Sequence, residues 1–104
     1  MYLKLKQLRG EVKDHADLTY RSIPFFVQKM REIRVELLKV ASAQGEQLSD
    51  DITRAIRQIH ITEREDLNNI QNYPKEIPKY LERVKVSVIA NLAFVENTRP
   101  GKTK

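Results

Sequence analysis

Hydrophobic side chains return at alternating intervals of four and three along most of the chain, the spacing that gathers them on one face of an α-helix. The clearest run spans Ile23 to Ala43. Phe26, Met30, Ile33, Leu37 and Val40 form its stripe, Ile23, Val27, Leu38 and Ala41 widen it, and Gln28, Arg31, Glu32 and Lys39 lie opposite. Ser22 reads as the N-cap and Pro24 as a first-turn residue, because the N–H that proline lacks would be unpaired there. Val35 is the large apolar residue left on the outer face.

Ahead of this run, Met1, Leu5, Leu8, Val12 and Ala16 repeat in the same way, with Tyr20 continuing the stripe and Gly10 on the outward side, which predicts a first amphipathic helix. Ile23 precedes a proline and is steered away from helical torsions, so the chain is expected to turn between Tyr20 and Pro24.

Behind the run, Gly45 supplies a residue able to take positive φ and end the helix. Ser49 then reads as an N-cap, with Asp50 and Asp51 placed favourably toward the helix dipole. Ile52, Ala55, Ile56 and Ile59 form the next stripe. Glu63 and Asp66 fall where it should continue, and Leu67 and Ile70 resume it off axis. The helix therefore either kinks or breaks near His60 to Thr62, and Thr62 followed by Glu65 matches a capping box, which favours a break and a short helix from Glu63 to about Tyr73.

Asn72 to Pro78 holds two prolines four apart and reads as a connector. Pro78 suits the first turn of a last helix running to about Glu96, with Ile77, Leu81, Val84, Val88, Leu92 and Val95 on its core face. Val84, Val86 and Val88 also alternate as in a strand, but the helical pattern runs on too long for one. The expectation is an all-α, up-and-down bundle of four long helices, the third kinked or broken near residues 60–62. Residues 1–96 form the one domain. Residues 97–104 make a basic tail of flexible composition, without an apolar anchor.

The last helix carries a second apolar stripe. Val86, Ala90, Ala93 and Phe94 lie largely away from its core face, so from Val84 onward the helix is apolar on most sides. Such a helix is either central in the monomer or covered by something else. The second case makes these four residues a protein interface, to a second copy or to another protein.

Composition narrows the classes. The chain contains no cysteine, which removes disulfide scaffolds, thiolate metal sites and cysteine nucleophiles. Its longest apolar runs fall far short of the roughly 20 residues a membrane span needs. No apolar targeting segment follows the basic start, so a cytoplasmic location is the expectation. The net charge of +5 and a pI near 9.6 favour an anionic partner, nucleic acid above all. Candidate phosphate contacts are Lys4, Lys6, Arg9 and Lys13 on the first helix and Arg99, Lys102 and Lys104 in the tail. Interleaved acids (Glu11, Asp14 and Asp17) cancel much of the long-range field of the first group.

A helix-turn-helix reading of residues 49–73 fails on chemistry. Its recognition helix would open Glu-Arg-Glu-Asp, presenting carboxylates where base edges and phosphates require Arg, Lys, Asn or Gln. His15 and His60 are the only histidines. Glu11 precedes His15 by four residues, but the spacing and copy number of a carboxylate di-metal bundle are missing. No phosphate loop, nucleophile elbow or aromatic RNA motif occurs. Catalytic residues, metal, cofactor and small-molecule substrate are therefore not expected. Two readings from different classes remain: a non-catalytic interaction module, adaptor or assembly subunit, self-associating through the last helix, and a basic protein making sequence-neutral contacts with nucleic-acid phosphates.

Overall fold

The computed structural model describes residues 2–96. Helix α1 spans Tyr2–Asp14, α2 Ile23–Gln44, α3 Asp50–Ile61 and α4 Ile77–Glu96, and no strand occurs among the described residues. The helices stand at the corners of a square. α1 packs on α2 and α4, and α3 packs on the same two. Contacts fix the directions. Glu11 near the end of α1 meets Lys29 near the start of α2, Arg9 meets Glu96 at the end of α4, and Gln44 at the end of α2 reaches Tyr2. Neighbours are antiparallel throughout, which is the up-and-down arrangement that short connections impose.

The expected core stripes fill the centre. Leu5, Leu8 and Val12 from α1 are buried, as are Phe26, Met30, Ile33, Leu37 and Val40 from α2, Ile52, Ala55 and Ile59 from α3, and all six predicted core residues of α4. Full burial of each large apolar side chain contributes about 1.5–3 kcal/mol, offset by its lost rotamer freedom. Val27 and Ala41 are half-buried at the edges of the α2 stripe, whereas Leu38, expected to widen it, is exposed alongside Val35.

Several boundaries differ from expectation. The α1 stripe stops at Val12, and Ala16 and Tyr20 are exposed. After Asp14 the chain leaves the helix, and Asp17 accepts hydrogen bonds from the Thr19 backbone and hydroxyl at 3.0 and 2.7 Å, a local turn that competes with helix. Met1 lies outside the described residues. Ser22 does not cap α2. It sits in helical torsions, and its hydroxyl is 2.8 Å from His15 Nε2. Ile23 also takes helical torsions despite preceding Pro24, because a 3₁₀ turn over Tyr20–Ser22 already leads into α2 and burial holds Ile23 in place. Gly45 ends α2 with φ 55° and ψ −121°, a conformation that requires glycine. Ser49 caps α3 as read, accepting from the Asp51 N–H at 3.0 Å.

The expected break at His60 to Thr62 does not occur. Thr62–Asp66 form a π-helical segment, with the Leu67 N–H bonded to Thr62 O, and the rod continues through Leu67–Asn69 and a 3₁₀ turn at Ile70–Asn72. The reason lies in the register. Ile59 and Leu67 are eight residues apart, one more than two helical turns hold, and a π turn absorbs one extra residue. Both then face the core. Thr62 stays helical, so the capping box does not form.

Candidate interaction surfaces

Two surfaces of the bundle carry features that packing alone does not require. The first is the outer face of α4. From Val86 to Val95 the helix holds ten consecutive residues without a charge, between Lys85 and Glu96. Val88, Leu92 and Val95 of this run line the core. The other side places Val86, 60% exposed, and Phe94, 55% exposed, together with exposed Ala90 and Ala93, in one strip on the protein surface. The structure thus answers the question left by the sequence: α4 is a corner helix of the monomer, and its second stripe faces outward. The outward positions of the preceding turns, Lys79, Glu82 and Arg83, are charged and exposed.

The second surface lies where α2 meets the π segment that follows α3. Glu63 interrupts the apolar stripe in sequence and is nonetheless buried, its side chain only 2% exposed. Arg31 Nε donates to Glu63 Oε2 at 2.9 Å, and Arg34 reaches Glu63 Oε1 through Nε at 3.3 Å and Nη2 at 3.2 Å. Burial pushes the Glu63 carboxyl upward, but hydrogen bonds and charge from the two arginines outweigh it and hold the group below the usual carboxylate range. Asp66, the other acid that interrupts the stripe, accepts a hydrogen bond from Tyr80 of α4; burial first, then the charge of Asp66 and that bond, raises the Tyr80 phenol well above its ordinary value. An open groove of about 300 Å³ beside Glu63 is lined by Val27, Arg31, Arg64, Leu67, Asn68 and Gln71. Nothing in the sequence pattern pairs Glu63 with Arg31 and Arg34, 32 and 29 residues away. The eight-residue gap from Ile59 to Leu67 was the available signal that the intervening acids stay within a continuous helix.

Lys6, Arg9 and Lys13 of α1 follow at intervals of three and four and share one side of the helix, whereas Lys4 lies apart from them. Lys6 and Arg9 border Leu92, Val95 and Glu96 of α4, and Arg9 is paired with Glu96 at 3.8 Å. Lys4 acts on Glu11, on the side that meets α2. Lys13 is exposed near the helix end. Arg99, Lys102 and Lys104 lie outside the described residues. His15 serves the bundle, since its ring stacks on Phe25 at 3.8 Å, meets Phe26 edge-on at 5.6 Å and contacts the buried Ser22 hydroxyl, while Lys85 Nζ donates to its backbone oxygen at 2.7 Å. Glu11 is engaged by Lys29, a bond that lowers its pKa most, with Gln7 assisting, so the two residues do not share a site. No group of acids and histidines able to hold a metal occurs among the described residues, and none of their helices is long and apolar enough to cross a membrane.

Compared with known proteins, the chain matches no family model, and no curated protein or solved structure is significantly similar to it.

Proposed function

We propose that the protein is a non-catalytic interaction module that self-associates through the outer face of α4. The observation that carries this reading is the exposure of Val86 and Phe94 on either side of Ala90, within a run of ten uncharged residues. An apolar strip of this kind is costly to leave in water and marks a contact surface.

The strip is also complementary to itself. Val86 and Phe94 stand four residues before and after Ala90. A two-fold axis at Ala90 that runs two α4 helices antiparallel sets each Phe94 against Val86 of the other copy, the isologous arrangement of a closed dimer. Alanines at 90 and 93 let the helix axes approach toward the short end of the usual 8–10 Å. Each copy carries a net charge of +5. Long-range repulsion between copies is screened by salt, so association tightens as ionic strength rises.

Sedimentation equilibrium tests this directly. The wild-type protein is expected to exceed the 12.2 kDa of one chain, and Phe94→Glu to sediment as a single chain with its helical circular dichroism intact. A wild-type mass of one chain across the whole concentration range, in high salt as well as low, would remove the reading.

A further inference from the structure

Glu63 is an expensive choice for its position. Ile59 and Leu67 flank it on the buried side of the rod that continues α3, and an apolar residue there would extend the core without bringing in a charge. A buried ion pair contributes little net stability against such an apolar replacement. What the carboxylate does supply is orientation. Arg31 spends only its Nε on Glu63. Its side chain is 59% exposed, and its two terminal nitrogens are left for an outside acceptor at the mouth of the groove. Arg34 stands behind with both its bonds on the other carboxylate oxygen. Across the groove are the exposed Arg64 and the amide side chains of Asn68 and Gln71. His60 and Arg57, also exposed, precede Arg64 by about one and two turns.

Two arginines are thus held by one buried carboxylate, and Arg64 adds a third cation at the groove. Planar guanidinium groups with spare donors match phosphate oxygens, and arginine prearranged by a carboxylate loses less freedom on binding than a lysine on a flexible stem. We propose that this groove binds the phosphate backbone of nucleic acid, with Arg31 and Arg64 as the contacting residues and Glu63 as the residue that positions Arg31 and Arg34. No aromatic ring lines the groove. Bases therefore find no stacking platform, and the favoured ligand is duplex read through its phosphates without sequence preference. A lipid surface fits less well, because membrane-lying helices insert an apolar face and this groove presents a polar rim. The site is separate from the α4 strip, so its test does not depend on self-association.

The experiment is fluorescence anisotropy of the full chain with a labelled mixed-sequence DNA duplex over a salt series, with phosphatidylserine vesicles as a parallel arm. Duplex binding is expected at low salt. Arg31→Gln with Arg64→Gln is expected to weaken it about tenfold or more and to reduce the log–log salt slope by about 1.8, the share of two phosphates at 0.9 each. Lys6→Gln with Lys13→Gln is expected to do less. Glu63→Gln is the decisive variant for positioning. It removes a negative charge, so a field effect alone would strengthen binding, whereas loss of positioning weakens it. Arg31→Lys, which keeps the charge and the fold but not the planar fork, is expected to weaken binding as well. Absence of duplex binding at low salt, binding to vesicles but not duplex, a larger loss in the Lys6/Lys13 variant, or tighter binding by Glu63→Gln would each overturn the proposal.

Discussion

Phe26 and Phe94 put the same side chain on two long helices of one bundle, and the two helices use it in opposite ways. Phe26 on α2 is fully buried, in contact with the Phe25 and His15 rings. Phe94 on α4 is more than half exposed, beyond a core stripe that is already complete without it. The outer faces differ in the same sense. On α2, cations and acids are paired: Lys29 with Glu11 and Glu32, Lys39 with Glu36, Arg31 and Arg34 with Glu63. On α4, the stretch from Val86 to Val95 has no charge to pair. α2 buries its stripe and pairs most of its charges within the monomer, with Val35, Leu38 and the terminal nitrogens of Arg31 left at the surface. α4 packs on its inner side and leaves an uncharged strip outside, the surface on which the proposed self-association rests.

The sharpest way to break this comparison is to truncate both rings. Phe26→Ala is expected to cost about 3–5 kcal/mol, a large part of the about 5–15 kcal/mol that holds a domain of this size, read as a fall in the denaturant midpoint. Phe94→Ala, measured at concentrations where single chains dominate, is expected to change stability by under about 0.5 kcal/mol. Comparable losses at both positions would show that Phe94 belongs to the core.

A smaller effect sharpens the account of α2's charged face. Glu63→Gln removes the negative charge between two arginines and turns one of the two accepting oxygens into an amide nitrogen that cannot accept, and is expected to cost about 1.5–3 kcal/mol at neutral pH. Its pH dependence identifies the cause. Because the folded pKa of Glu63 is depressed, its contribution is fully present above the ordinary value near 4.5 and is lost as pH falls through the folded value. The gap between wild type and variant in thermal unfolding is therefore expected to narrow as pH falls below the ordinary value near 4.5 and through the lower folded one. Glu11 and Asp17 also have lowered pKa values and add acid sensitivity, but they do so equally in both proteins.

A more local effect concerns where α2 stops. Gly45 has open space around the position a Cβ would take, so Gly45→Ala meets only the backbone penalty of its positive φ. A loss of about 1 kcal/mol is expected, seen as a modest drop in thermal midpoint without change in helix content.

The core stripes were legible because burial in a helical bundle imposes the 3.6-residue period on the sequence, and Phe26, Leu37, Leu81 and Leu92 all obey it. The Ser49 cap and the Gly45 stop were legible because each is a local, single-residue requirement. Ser22 misled because its hydroxyl has a competing partner in His15, brought to it by the turn between α1 and α2. Glu63 misled for a similar reason: a carboxylate in an apolar register signals an end unless a cation from another helix meets it, and such a meeting leaves no local trace. The strip on α4 was visible as excess hydrophobicity. That it faces outward could only follow from the position of α4 at a corner of the square.

The chain's lack of cysteine makes the orientation of that strip open to a clean test. A single Ala90→Cys substitution places one thiol at the predicted two-fold axis, where closely packed antiparallel helices bring the two Cα atoms within the roughly 4.4–6.8 Å a disulfide spans. On mild oxidation, Ala90→Cys is expected to give a cross-linked dimer in high yield, and Lys79→Cys, three turns away on the same outward side, to stay largely uncross-linked. Cross-linking at 79 as readily as at 90, or a failure of Ala90→Cys to cross-link at concentrations where the chain is associated, would contradict an antiparallel pairing of α4 about Ala90.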